Sequence, residues 1–203
     1  MTQSKRIYAI TGGIGSGKSL AAQIIAQHGY AVFSCDEIYA DITKGGKMVE
    51  ELENTFKGVT LADGSLDRKA LSKKVFNDAS ALEKLNKITH PAIMKRLFAL
   101  AENASVDVVF CEVPLLFESR LENFFSGVIV VLRDREERIN AVIKRSNLSR
   151  DEVLARMKNQ FDYDNNDLSG YYILHNDGDI ASLKEKIIKI LKNKRIASAT
   201  LPK

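Results

Sequence analysis

The sequence predicts an α/β fold in which a buried parallel sheet of five strands is flanked by helices, and three observations predict it. Five short runs, apolar on both faces, alternate with helical patterns, as the strands of a doubly wound sheet must. They are Ile7–Thr11, Ala31–Ser34, Val106–Cys111, Val128–Leu132 and Tyr171–Leu174. A glycine-rich octet, Gly12-Gly13-Ile14-Gly15-Ser16-Gly17-Lys18-Ser19, joins the first run to a helix-forming stretch. Helix starts are well marked: Asp67 stands between Leu66 and Leu71 as a cap with a hydrophobic staple, and Asp134…Glu137 and Ser149…Glu152 read as capping boxes.

The octet fits G-x-x-x-x-G-K-S, and its strand–loop–helix context separates a working phosphate loop from a chance match. The glycines let backbone N–H groups turn inward around phosphate oxygens, while the positive end of the next helix favours anions. Gly13, Gly15, Ser16, Gly17, Lys18, Ser19 and Leu20 are therefore the expected ATP-binding residues, with Lys18 reaching the β- and γ-phosphates and Ser19 ligating Mg²⁺. This places the chain among P-loop NTPases.

After the second strand, residues 39–103 carry four helical patterns without a convincing core strand: Met48–Phe56, Arg68–Phe76, Ala79–Ile88 and Pro91–Ala101. They read as a helical substrate-binding insert. Residues 135–169 form a helical hairpin, Arg135–Arg145 and Asp151–Phe161, followed by the polar run Asp162–Asp167. A hairpin placed there reads as a lid, and insert plus lid suggests a phosphotransferase that excludes water. The core is then residues 1–38, 104–134 and 170–203, so that the whole chain is a single kinase domain.

Ligands in such sheets bind at the carboxyl ends of the strands, so acids there carry the remaining chemistry. Asp36, just past the second strand, has two roles open to it: accepting or orienting the proton of an attacking hydroxyl, or capping the helix Glu37–Thr43. Glu112, at the end of the third strand, either stands near Mg²⁺ and its waters or holds the backbone of the turn Val113–Leu116. Arg145 and Arg156 are candidates for gripping phosphates from the lid, or belong to a solvated face. His90, before Pro91, is either a ligand contact or a helix-entry residue.

The bulk composition is that of a soluble enzyme. The chain has 203 residues, 45% hydrophobic and 28% charged, and no apolar run long enough to span a bilayer. A cytoplasmic location is the expectation, with no membrane and no obligate protein partner. Cys35 and Cys111 are too far apart for a C-x-x-C pair and read as small buried residues. The net charge of +4 is spread over 30 basic and 26 acidic residues, and the densest basic stretch, Lys184 to Arg195, is spaced as the wet face of a terminal helix, so nucleic acid is not the expected partner. A guanine switch is excluded by the missing Asn-Lys-x-Asp motif, its only Asp-x-x-Gly, Asp167 to Gly170, falling too late in the chain. Another small-molecule kinase of the same fold is the nearer rival.

The order of pieces is specific. After Thr11–Ser19 and Asp36 come Asp63-Gly64-Ser65-Leu66-Asp67-Arg68 with Leu71 and Val75-Phe76, then Thr89-His90-Pro91, Glu112-Val113-Pro114-Leu115-Leu116-Phe117-Glu118, and Asn176-x-Gly178. Along nearly the whole chain this resembles the dephospho-coenzyme A kinase family. The resemblance implies phosphorylation of the ribose 3′-hydroxyl of dephospho-coenzyme A by ATP, the last step of coenzyme A synthesis. It implies Asp36 as catalytic aspartate, with Lys18 and Arg145 in the catalytic set. Arg68, His90, Glu112 and Leu115 fall with Asp36 on the acceptor side, and Asn176 with Gly178 lies by the adenine. Three departures stand out. Ser34-Cys35-Asp36 replaces the family's usual Asp-Ala-Asp, Leu20 replaces a threonine, and arginines common after Gln160 are absent, Tyr163 and Asn166 standing at their places.

Overall fold

The computed structural model describes residues 5–75, 78–193 and 196; Phe76 and Arg195, named above, lie outside the described residues. The elements run β1 (Arg6–Thr11), α1 (Lys18–Gln27), β2 (Ala31–Ser34), α2 (Cys35–Ile42), α3 (Lys47–Phe56), α4 (Arg68–Val75), α5 (Ala79–Glu102), β3 (Val108–Glu112), β4 (Gly127–Leu132), α6 (Arg135–Ser146), α7 (Arg150–Lys158), β5 (Tyr172–His175) and α8 (Ile180–Leu191). The chain divides into two compact units, one of residues through Ser34 and from Ala104 onward, the other Cys35–Asn103.

The first unit holds the sheet, in the order β2-β3-β1-β4-β5 with every neighbouring pair parallel. All five strands are where the apolar runs predicted them, to within two residues. Parallel strands covered on both faces read as continuous apolar runs, and β1, β3 and β4 do: Ile10, Phe110 and Ile129 are buried with Ile24 and Ile25 of α1 and Leu183 and Ile187 of α8. Register aligns the carboxyl ends, Glu112 pairing with Ile10 on one side and Ser34 on the other. The phosphate loop and Glu112 therefore leave the sheet at one edge.

The second unit is all helical in its regular elements and has its own core of Val49, Leu52, Val59, Leu66 and Leu71. The carboxylate of Glu53 ties the turn after α3, accepting from the N–H groups of Gly58 and Val59 at 2.6 and 2.8 Å and from the Thr60 hydroxyl at 2.9 Å. Asp67 caps α4, accepting from Lys69 and Ala70 N–H at 3.0 Å each. The two helices expected at Ala79–Ile88 and Pro91–Ala101 are one continuous helix of 24 residues with Pro91 inside. The proline removes one backbone donor, but Thr89, Met94, Leu97 and Ala101 are buried on either side of it, and that packing outweighs a single lost bond.

The caps of the hairpin are as expected in part. Ser149 and Glu152 form a complete capping box. Asp134 accepts from Glu136 and Glu137 N–H at 2.8 and 3.1 Å, while the Glu137 carboxylate goes to Arg133 Nε at 2.9 Å. The second hairpin helix stops at Lys158, three residues before the expected Phe161, because Gln160 and Phe161 are engaged elsewhere.

Candidate active site

The loop between β1 and α1 is shaped to receive phosphate. Gly17 precedes α1 in the left-handed region at φ 93° and, as N-cap, offers no side chain to cover the positive end of the helix. A Cβ on Gly17 would also collide with the Asn176 amide, so glycine is required there on two counts. Ser16 Oγ is buried beside the loop without a hydrogen-bond partner, an orphaned polar atom of the kind a phosphate oxygen satisfies. Glycine backbone at a helix start and an orphaned hydroxyl are the features a phosphate group needs from such a loop.

Ser19 and Glu112, far apart in sequence, meet: the serine hydroxyl donates to Glu112 Oε1 at 2.7 Å. A hydroxyl beside a carboxylate at the mouth of a phosphate loop is a donor set suited to a hard oxygen-seeking cation. Among the described residues there is no cluster of three or more metal-ligating side chains, so a cation here would complete its shell with phosphate and water oxygens.

Asn176, at the end of β5, is buried and donates from Nδ2 to the Ser16 carbonyl at 2.8 Å, while its own N–H donates to the Leu132 carbonyl at 2.8 Å. It thereby locks the phosphate loop to the turn that carries Gly178. A cleft of about 510 Å³ opens there, lined by Leu20, Arg133, Asn176, Gly178 and Ile180. The resemblance puts Asn176 and Gly178 by the adenine and Leu20 with the phosphates, and all three line this one cleft.

The hairpin touches the loop through residues the sequence did not single out. Arg138 on α6 is only 6% exposed. Its Nε donates to the Ile14 carbonyl at 3.1 Å. Its Nη2 abuts Gly13, where a Cβ would collide with it, and burial pulls the guanidinium below its usual pKa, with the Asp164 carboxylate opposing. Gln160, just past α7, accepts the Ile14 N–H on Oε1 at 2.7 Å. One signal could have found Arg138: it shares a face with buried Val142 one turn on, and a charge on an apolar stripe needs a partner.

The segment after α7 is held by aromatics. The Phe117 ring lies 4.5 Å from Phe161, 5.2 Å from Tyr171 and 5.9 Å from Tyr163 by centroids, and Glu118 accepts the Phe161 N–H at 2.8 Å. Tyr163 is 5% exposed, its hydroxyl 3.3 Å from Thr11 Oγ1 and its pKa pushed up to about 12 by burial. The position at which the resemblance implies an arginine is thus interior here. Two acids of this run serve turns: Asp162 accepts from Asp164 and Asn165 N–H and from Asn165 Nδ2, and Asp167 accepts the Ser169 N–H. Arg145 and Arg156 are exposed on α6 and α7, so the arginine against the loop is Arg138.

The expected acceptor-side residues lie in both units. Leu115 in the first is 50% exposed. In the second, α2 begins at Cys35, so Asp36 is an exposed residue of its first turn and not its N-cap, which removes the capping alternative. Arg68 stacks over the Tyr39 ring at 5.1 Å and donates to Thr43 Oγ1 at 2.9 Å, which fixes its direction. His90 is half-buried within α5, so it does not enter a helix, and burial lowers its pKa. No described helix is long and apolar enough to cross a membrane.

Comparison with known proteins adds an independent line. The profile of the family described as dephospho-CoA kinase matches residues 6–182. A dephospho-CoA kinase of Carboxydothermus hydrogenoformans is 34% identical over 191 residues, covering 92% of this chain and 93% of the relative. Among solved structures, one from Thermus thermophilus superposes with TM-score 0.83 at 34% identity, covering 93% of this chain and 97% of its own. A dephospho-CoA kinase from Campylobacter jejuni does so at 0.66 and 27%, covering 96% and 99%.

Proposed function

This chain belongs to the dephospho-CoA kinase family and catalyses ATP-dependent phosphorylation of dephospho-CoA in coenzyme A synthesis, and from that premise we propose how its own residues divide the work. The observation that carries the reading is the uncapped helix start behind Gly12–Ser19, closed by Ser19 against Glu112 and by Asn176 against Ser16. Backbone N–H groups of Gly13, Gly15, Gly17, Lys18, Ser19 and Leu20 receive the phosphates, and the Lys18 ammonium offsets charge that grows on the β- and γ-oxygens. The adenine takes the cleft beside Asn176 and Gly178.

Ser19 and Glu112, already paired at the mouth of the loop, are the residues that would hold Mg²⁺, which would supply charge neutralisation to the phosphates. The ribose 3′-hydroxyl attacks the γ-phosphorus, the bond to the β–γ bridging oxygen breaks, and ADP leaves with both electrons of that bond. Asp36 takes the hydroxyl proton, supported by its position past the end of β2 and by its ionisable carboxylate in an exposed first turn. Arg68, His90 and Leu115 serve the acceptor, and Arg145 and Arg156 serve the phosphates from the hairpin. A cytoplasmic site fits a kinase of coenzyme synthesis.

The test is coupled ADP release by purified protein with ATP and Mg²⁺. Release should depend on dephospho-CoA, and the product should gain one phosphate at the 3′ position. ADP released at the same rate without acceptor would identify a plain ATPase.

A further inference from the structure

We propose that Arg138 and Gln160 are positioning residues that set the phosphate loop by gripping two successive peptide groups from the hairpin side. This rests on the reading that the loop binds ATP. The loop's outer turn runs from Gly13 to Ser16 and is closed by the Ser16 N–H donating to the Gly13 carbonyl at 3.1 Å. Ile14 and Gly15 are its two central residues, so the turn's shape depends on the peptides on either side of Ile14.

Each of those peptides is held by one side chain. Gln160 Oε1 accepts the Ile14 N–H at 2.7 Å, which fixes the peptide between Gly13 and Ile14. In a trans peptide the carbonyl points opposite to the N–H, so this grip also aims the Gly13 carbonyl at Ser16. Arg138 Nε donates to the Ile14 carbonyl at 3.1 Å and fixes the next peptide, which by the same geometry aims the Gly15 N–H away from the hairpin. The Arg138 backbone carbonyl then abuts Gly15, leaving no room for a Cβ, so the turn cannot swing back toward α6.

A free glycine-rich loop samples many conformations and would lose that freedom on binding phosphate; a loop already gripped loses less, and the difference appears as ATP affinity. The grip comes from two residues of the hairpin, so hairpin and loop are mechanically joined before any nucleotide arrives. Charge is not the agent on this view: Nε is spent on a carbonyl.

Substitution separates hydrogen bond from charge. Met is close in shape to both side chains and offers neither donor nor acceptor of comparable strength. Gln in place of arginine carries an N–H at the position of Nε but no charge. ATP dissociation constants would be measured by titration calorimetry with Mg²⁺, alongside the KM for dephospho-CoA and the melting temperature without ligand. Gln160→Met and Arg138→Met should each weaken ATP roughly threefold to tenfold with the acceptor KM unchanged, the size of one hydrogen bond. Arg138→Gln should stay within about twofold of wild type. A purely structural role lowers the melting temperature and leaves the ATP constant alone, so folded Met variants with wild-type affinity would overturn the proposal. So would Arg138→Gln binding as weakly as Arg138→Met. If Arg138→Met does not fold, Gln160→Met and Arg138→Gln decide. Wild-type protein that fails to bind ATP at all would instead overturn the reading of the loop.

Discussion

Two side chains proposed to carry the chemistry, Asp36 and Ser19, can each be questioned by a change of one functional group. Asp36→Asn keeps the shape of a first-turn residue and removes the basic carboxylate, so turnover should fall by roughly a hundredfold or more while the melting temperature barely moves. An asparagine variant with more than about half the wild-type rate would take Asp36 out of the proton transfer. Ser19→Ala removes the hydroxyl that bonds Glu112 and should appear as a raised Mg²⁺ requirement, read as a rightward shift of the Mg²⁺ titration at saturating ATP. His90 is a pH probe of the second unit. Burial depresses its pKa below the usual 6.5, so the folded state prefers the neutral ring and the unfolded chain binds more protons in that window. Its contribution is present above pH 6.5 and is lost as pH falls from there through the folded-state pKa. Urea midpoints taken between pH 8 and pH 5 should decline on the acid side, and His90→Gln should flatten that decline; an unchanged slope would show that another group sets it.

At the scale of the element, strands and caps were legible because their signals are local: two-sided apolar runs, and Asp or Ser followed by the right neighbours. The phosphate loop was legible for the same reason, its eight residues being contiguous. What sequence periodicity missed depends on partners far along the chain. Pro91 promised a break that buried Thr89 and Met94 override. Gln160 left the expected helix to bond Ile14, 146 positions away, and Arg138 reached the same residue across 124. Tyr163, in a run of acids and amides, is interior because the rings of Phe117 and Phe161 pack on it. The segment after α7 is therefore a packed strap and not a place to restore an arginine. Tyr163→Arg would put a guanidinium among aromatic rings and remove the hydroxyl beside Thr11, and it should lower the melting temperature by several degrees and weaken ATP binding. Were the variant as stable as wild type and tighter for ATP, the strap would have to be a phosphate-gripping lid after all. Tyr163→Phe separates the two losses, since it keeps the rings and drops only the hydroxyl.

For the whole molecule, two of the hydrophobic cores among the described residues differ in how they draw on the chain. The sheet core around Ile10, Phe110 and Ile129 draws on residues from both ends of the chain, whereas Val49, Leu52, Val59, Leu66 and Leu71 come from one continuous stretch. The groups proposed to bind ATP all lie in the unit with the sheet, and Asp36, Arg68 and His90 lie in the other. Damage to the second core should therefore separate the two halves of the reaction. Leu52 is 0% exposed, and Leu52→Ala, which removes its side chain from that core, should cost about 2–5 kcal/mol. If the units open separately, a urea titration of this variant will lose turnover well before it loses ATP binding, because a small core supports only its own elements. The matching change at Ile129, which is 1% exposed in the sheet, should abolish both together. Coincident loss of turnover and ATP binding in Leu52→Ala would instead show a single cooperative unit, with the second core contributing to the stability of the sheet as well as to its own helices.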